Sequence, residues 1–418
     1  MKIFFSVGEP SGDLHGANLI NSLRAELPDC KFVGYGGPKM TAAGCELHED
    51  LTKLAVMWFV KVLLNIHKFL GLLKRADRYF GEQKPDAVVL IDYPGFNWWI
   101  ARRAKKHDIP VFYYGTPQLW AWAEYRIKKM RKYIDHALCK LPFEEKWFRE
   151  RGVNATYVGH PYFDELRQRP LDAAFVEQQR EGAVPLVTIL PGSRDQEVAA
   201  NLDAFLRTAE LISAQVPDAR FAIAAFKESQ AQTAREWAAR DLATAPGPTN
   251  RQVAIEVHTE RTAELIEAAD CCLACSGSVS LELLYHAKPS VIHYRVGRFA
   301  FWLQKFVRRV RYITLVNLIT AENPFDTRPV GVYDPQDVRD AHVLLPEYLT
   351  AEDRTGEMAA HVIEWLRNPE AMERRVEQLQ ELRERVGQGG ASERAADYIA
   401  NVLSRSLEGN STSLAGAA

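Results

Sequence analysis

The sequence contains no G-x-x-x-x-G-K-[ST] segment, which excludes a P-loop nucleoside triphosphatase. Gly34, Gly36 and Gly37 do not complete G-x-G-x-x-G, which argues against a dinucleotide fold. No Asp-x-Asp pair occurs, so the usual carboxylate clamp for a divalent metal is missing. No apolar run reaches the about 20 residues of a membrane span. The opening MKIFFSVGEPSGD places Gly, Glu, Pro and Asp straight after a short apolar run, unlike a secretory leader, so a cytoplasmic protein is expected. Charge excess is also missing. Lys and Arg number 52 against 54 Asp and Glu, a net charge of −2, so any anion-binding surface must be local. Cysteine is sparse, with six in all. Cys271, Cys272 and Cys275 cluster within ADCCLACSGS, which lacks a neighbouring His and reads as a buried strand rather than a metal site.

What is present is ordinary globular material: 47% hydrophobic and 25% charged residues over 418 positions. Short apolar runs lie at residues 3–7, 32–35, 87–91, 111–114 and 137–140. A second series lies at 186–190, 221–225, 253–257, 271–274 and 290–294. Helical stretches such as 11–27 and 143–151 lie between them. That alternation predicts βαβ units and parallel sheets, hence two Rossmann-like α/β domains with a cleft between them. The expected boundaries are 1–165 and 184–345 for the two domains, with a Pro- and Gly-marked linker at 161–185. Charged helices without a strand partner are expected over 346–405, and a disordered tail over 406–418.

Three strand-to-helix turns are candidate phosphate cradles. In GEPSGD, Gly8 and Gly12 permit a tight turn and Ser11 is placed to cap the next helix. In LPGSRDQEV, Ser193 is the expected cap. Arg194 then falls in a first turn that ordinarily favours acidic residues, which points to a nearby anion. In CSGSVSLELL, Ser276, Gly277 and Ser278 offer backbone N–H groups at a helix start, and Glu282 follows about one turn later, placed to accept from ribose hydroxyls. Each turn alone is also what a routine βα connection looks like; their joint occurrence supports nucleotide binding.

Seven strings occur in order: GEPSGDLHGA, IDYPGFN, TPQLWAW, LPFEEKWF, VGHP, LPGSR and SGSVSLELL. On these the sequence resembles the lipid-A-disaccharide synthase family over residues 1–320, with a weaker match beyond. The resemblance implies a GT-B-type α/β fold, two Rossmann-like domains facing across a cleft, with C-terminal helices. It implies an inverting glycosyltransferase that needs no metal and no cofactor. The donor would be UDP-linked 2,3-diacylglucosamine and the acceptor the 6-hydroxyl of 2,3-diacylglucosamine 1-phosphate. The product would be the β-1,6 tetraacyl disaccharide 1-phosphate. Residues 315–319 (LVNLI) lack the Pro that commonly precedes the Asn, although Asn317 is retained; Thr350 stands where Gln is frequent; and 322–345 is longer than usual.

Inversion needs a base for the acceptor hydroxyl. Asp92, at the end of VVLID and just before Pro94, is the first candidate, with a helix cap as its structural alternative. Asp13 and His15 are rivals, and His15 also reads as a surface histidine. Arg194 would neutralise the leaving diphosphate, Ser193, Ser276, Gly277 and Ser278 would bind phosphates, and Glu282 would hold the ribose. Gly8, Ser11, Gly12 and Asn317 complete the expected UDP-sugar set.

Acylated substrates require a membrane-facing surface. Residues 55–73, with Trp58, Phe59 and Leu63, read as an interfacial helix or a buried one. Residues 294–312 mix aromatics with Arg295, Arg298, Lys305, Arg308, Arg309 and Arg311, suited to anionic headgroups and the acceptor phosphate. Trp120 and Trp122, ahead of the basic run 126–132, either line an acyl pocket or belong to the core. The expected setting is peripheral, on the cytoplasmic face of the inner membrane, with no nucleic-acid partner. The resemblance also implies pairing of two copies through the C-terminal region. The competing readings are another UDP-sugar enzyme of this fold, either a different lipid-acceptor transferase or a UDP-N-acetylglucosamine 2-epimerase.

Overall fold

The computed structural model describes residues 1–55, 66–182, 184–244, 253–325, 333–334 and 337–415. Trp58, Phe59 and Leu63 lie outside the described residues. The chain forms two compact units, Met1–Glu165 with Gly389–Ala418, and Leu166–Gln388.

The first unit is built on seven strands: β1 (Lys2–Val7), β2 (Lys31–Gly36), β3 (Glu46–Asp50), β4 (Ala87–Ile91), β5 (Val111–Tyr114), β6 (His136–Cys139) and β7 (Ala155–Tyr157). Their order is β3-β2-β1-β4-β5-β6-β7, and every pair is parallel. Such sheets are covered on both faces, so the central strands are apolar throughout, and all five residues of β4 are buried. Prolines begin the helices Pro10–Glu26, Pro38–Ala42, Pro94–Lys106 and Pro142–Arg149. A fixed φ and a missing N–H suit that first position.

The chain's last helix, Ala391–Ala415, returns to this unit. Its Ala395, Ala396, Ile399 and Leu403 are buried in one cluster with Leu19, Ile20 and Leu23 of the first helix and Ile3 and Phe5 of β1. The Asp164 carboxylate accepts from the N–H groups of Ala391 (3.1 Å) and Ser392 (2.9 Å), capping the helix start. Arg394 Nε donates to the Val158 carbonyl at 2.8 Å. The helix runs through 406–415, for which the sequence predicts a tail.

The second unit carries β8 (Leu186–Leu190), β9 (Arg220–Ala225), β10 (Ile255–Thr259), β11 (Cys271–Cys275), β12 (Ser290–Arg295) and β13 (Glu347–Thr350). The order is β10-β9-β8-β11-β12-β13, again all parallel. β13 supplies a strand inside the stretch expected to be helical, pairing Glu347 with Ile292 of β12. The helices Thr355–Arg367 and Pro369–Val386 follow it in this unit. Cys271, Cys272 and Cys275 are buried in β11, and burial pushes the Cys272 and Cys275 thiols up to about 12.

Both sheets reverse direction at one place, between β1 and β4 and between β8 and β11. Chains leaving neighbouring strands there turn to opposite faces and open a crevice at the carboxyl ends.

Candidate active site

In the first unit, the GEPSGD turn follows β1 and the Asp92 turn follows β4, so they share the crevice. Asp92 and Tyr93 both take left-handed backbone angles, φ 46° and 41°. For non-glycine residues that costs about 1–3 kcal/mol each and persists only where surroundings impose it. Three restraints do so here. Asn97 Nδ2 donates to the carbonyls of Asp92 (2.8 Å), Ile91 (3.2 Å) and Ser6 (3.2 Å). Its Oδ1 accepts from Ser6 Oγ at 2.7 Å, tying β1 to β4. The Tyr113 hydroxyl donates to the Asp92 carbonyl at 2.7 Å, and burial, reinforced by Asp92, holds that phenol well above its ordinary range. Gly8 is required where it stands, since a Cβ there would lie 2.4 Å from the Tyr93 ring.

The strained turn leaves the Asp92 carboxylate partly exposed. Oδ1 lies 3.4 Å from Lys140 Nζ at the end of β6. Two histidines join this cluster. Burial holds His15 below its usual pKa, with Lys140 pushing the same way and Asp92, Glu165 and Asp164 opposing. Burial, then Lys140 and His15, hold His160 well below. Both rings are therefore neutral at pH 7. His15 is 8% exposed, which replaces the surface-histidine reading, and its Nδ1 has no hydrogen-bond partner.

In the second unit the LPGSR turn follows β8 and the SGS turn follows β11, again side by side. Arg194, not Ser193, is the cap of the helix Asp195–Gln215. Glu197 accepts from the N–H groups of Ser193 and Arg194, each at 3.1 Å, and from Arg194 Nη1 at 3.1 Å. Gly192, at φ +122°, makes room for that carboxylate: a Cβ would lie 2.6 Å from Glu197 Cβ. The Arg194 side chain is 76% exposed, free to swing to an arriving anion at small cost, since an exposed ion pair is worth about 0–1 kcal/mol. Gln230 Nε2 fixes the loop through Ser193 O (3.1 Å) and Asp195 Oδ1 (3.0 Å). Gly277 and Ser278 are exposed and Ser276 half-buried, at the start of the short helix Val279–Tyr285. Glu282 is 3% exposed and accepts from Arg169 Nη1 at 2.6 Å. Among the described residues no group of three or more His, Cys, Asp or Glu is placed to hold a metal ion.

The family model of lipid-A-disaccharide synthetase matches residues 3–379. The chain belongs to that family. It is 32% identical to the lipid-A-disaccharide synthase of Coxiella burnetii strain CbuG_Q212, over 96% of this chain and 98% of the relative. It is likewise 32% identical to that of Trichlorobacter lovleyi, over 97% and 98%. Among solved structures, the S. aureus MnaA–UDP co-structure superposes with a TM-score of 0.61 at 13% identity, covering 96% of this chain and 97% of that one. The glycotransferase of kitacinnamycin gives 0.55 at 16%, covering 95% and 98%. These likenesses establish a GT-B fold and no more. Family membership makes the chain a glycosyltransferase of lipid A disaccharide synthesis and disfavours the epimerase reading.

Several expected site residues of this family member have structural duties instead. The Asp13 carboxylate accepts from the N–H groups of Gly37 (2.9 Å), Lys39 (2.9 Å) and Met40 (3.1 Å), capping the helix Pro38–Ala42, so it is not available as a base. Asn317 is wholly buried and donates to Leu345 O (2.7 Å) and Glu347 Oε2 (3.1 Å), so it braces β13. Ser11 lies inside the helix Pro10–Glu26, whose cap residue is Glu9. Trp120 is 2% exposed, and its indole donates to the buried Glu144 at 2.9 Å, so it is core. Trp122 is 53% exposed beneath Arg126, 5.2 Å from its ring centroid.

The basic-aromatic stretch separates into two parts. On the helix Arg298–Val307, Phe299, Trp302, Leu303, Phe306 and Val307 recur at helical spacing and are all exposed, Phe299 by 73% and Phe306 by 71%. Arg295, Arg298 and Arg309 are exposed around it. Arg308 is half-buried, and Arg311 turns inward to Asp340 at 2.8 Å, so neither joins the exposed patch fully. The residues that the sequence reading passed over (Asn97, Lys140, His160, Glu197 and Gln230) mostly lie within or beside the seven strings, but a string does not say which of its members is polar, buried and aimed at the crevice.

Proposed function

We propose that Asp92 is the general base of the transfer and that Arg194, with the SGS turn, receives the donor's diphosphate. In this reading a 2,3-diacylglucosamine moves from its UDP derivative to the 6-hydroxyl of 2,3-diacylglucosamine 1-phosphate. The acceptor oxygen attacks the anomeric carbon, the bond from that carbon to the diphosphate oxygen breaks, UDP leaves with the electron pair, and the acceptor proton passes to the Asp92 carboxylate. The observation that carries this is Asp92 itself, held in a strained turn at the crevice of the first sheet with its side chain partly exposed beside Lys140. Glu282 serves the ribose in exchange for part of its bond to Arg169. Diphosphate charge is met by Arg194 and backbone donors, so turnover is expected to survive EDTA.

The membrane part of this reading is carried by the helix Arg298–Val307. A stripe of exposed aromatic and aliphatic side chains flanked by arginines suits the headgroup boundary of an anionic bilayer. No described helix is long and apolar enough to cross a membrane. The cytoplasmic face of the inner membrane is the proposed location. Pairing of two copies through the C-terminal region belongs to the same reading, and a monomer by light scattering removes that element.

Two measurements test the proposal. Asp92→Asn should abolish UDP release from the two acylated substrates while UDP affinity by calorimetry stays within about twofold; near-normal turnover refutes the base. Trp302→Glu with Phe306→Glu should lose flotation on anionic vesicles at low salt without a lowered melting temperature, because both side chains already face water. Retained flotation moves the membrane contact elsewhere.

A further inference from the structure

Lys140 is an unusual residue to find at the end of a sheet strand. Its side chain is only 16% exposed, yet it carries a charge. Burial works against that charge, but Asp92 and Glu144 outweigh it and raise its pKa. The stem is anchored at its base, because the N–H groups of Lys140 (2.9 Å) and Leu141 (3.0 Å) donate to Glu144 Oε2. Glu144 in turn accepts from Trp120 Nε1 at 2.9 Å and Thr116 Oγ1 at 3.4 Å. From β6 the chain of methylenes must pass the end of β5 to reach Asp92 at the end of β4. Gly115 sits in that path with φ +73°, and a Cβ there would stand 3.3 Å from Lys140 Cδ and 3.5 Å from Nζ. The glycine keeps the lane open.

The two oxygens of Asp92 are consequently unequal. Oδ1 faces Lys140. Oδ2 faces the first turn, 3.6 Å from where a Cβ at Gly12 would be, and has no hydrogen-bond partner among the described residues. We infer that Lys140 is a positioning residue for the transfer: it commits Oδ1 to an ion pair and so aims Oδ2, as an unprotonated acceptor, at the sugar hydroxyl. This rests on Asp92 being the base. The other groups around the pair are His15 and His160, both neutral, Glu9, Glu165, and Asp164, whose carboxylate is spent on the last helix. Among these described groups Lys140 is the one that carries a positive charge.

The test is kcat and KM measured separately for wild type, Lys140→Met, Lys140→Arg and Asp92→Asn, with UDP affinity and melting temperature for each. Lys140→Met should lower kcat about tenfold or more, while acceptor KM and UDP affinity stay within about twofold. Lys140→Arg, which keeps a cation beside Oδ1, should recover most of kcat. An unchanged kcat in a normally melting Lys140→Met protein, with Asp92→Asn inactive, overturns the role of Lys140 and leaves the base assignment standing. If Asp92→Asn is itself active, the base assignment falls first. If Lys140→Met melts early, Lys140→Arg decides: a normally melting Lys140→Arg protein that stays as slow as Lys140→Met rules the inference out.

Discussion

Asn97 shows how one side chain can decide the shape of the turn that carries the proposed base. Its amide nitrogen donates to three carbonyls, those of Ser6, Ile91 and Asp92, and its oxygen accepts from the Ser6 hydroxyl. Asn97→Ala takes the acceptor from the buried Ser6 hydroxyl and leaves the Asp92 carbonyl with Tyr113 alone, at about 1–3 kcal/mol for a buried group left unpaired, and lets the Asp92–Tyr93 turn relax. The expected result is a lower urea midpoint and a loss in kcat larger than the loss in UDP affinity. Buried histidines add a pH term. Burial lowers His293 and His361 to about 4, with Arg295 and Arg375 respectively pushing the same way. A histidine depressed in the folded state binds its proton more readily when unfolded. Stability is therefore full above the unfolded value near 6.5 and falls as pH drops toward 4. Thermal melts of wild type should fall between pH 7 and pH 5, and His293→Leu should flatten that slope; an equally steep slope in the variant rules out His293 as a source.

At the scale of elements, the apolar runs declared the long central strands: β4, β5 and β8 coincide with their runs, and β1, β2, β6, β9, β11 and β12 agree within one residue at each end. β3, β7 and β13 escaped because nothing in Glu46–Asp50 is an apolar run, Ala155–Tyr157 has three residues, and Glu347–Thr350 hides its apolar content among charges. Edge strands need only one paired side, so their sequences are free to be polar. The turns were legible for the same reason that they matter: Gly, Pro and Ser are demanded by tight backbone geometry. Partners were not legible. That Glu197 fills the N–H groups of the LPGSR turn, or that Asp13 serves a helix 24 residues downstream through Gly37, depends on distances in space. The helix Arg298–Val307 falls between these cases. Its periodicity was written in the sequence, but whether the stripe faces a core or the solvent was not.

At the scale of the whole molecule, the ends of the chain meet in one core. Ile399 is fully buried in the first unit's cluster. Ile399→Ala should cost about 2–5 kcal/mol, read as lost hydrogen-exchange protection across the first unit and little change in the second. Equal loss in both would contradict the division into units. The second unit is thus an insertion, entered at Leu166 and left at Gln388. This arrangement sets an order of events during synthesis. At about 5–20 residues per second, the first unit waits about 10 to 45 seconds, while the insertion is made, before Ala395, Ala396, Ile399 and Leu403 emerge to close it. Meanwhile the second unit has everything it needs to fold. A nascent chain halted before Ala391 therefore carries a finished insert on an open base, and that greasy notch beside the first helix is where a chaperone or a quality-control protease would take hold.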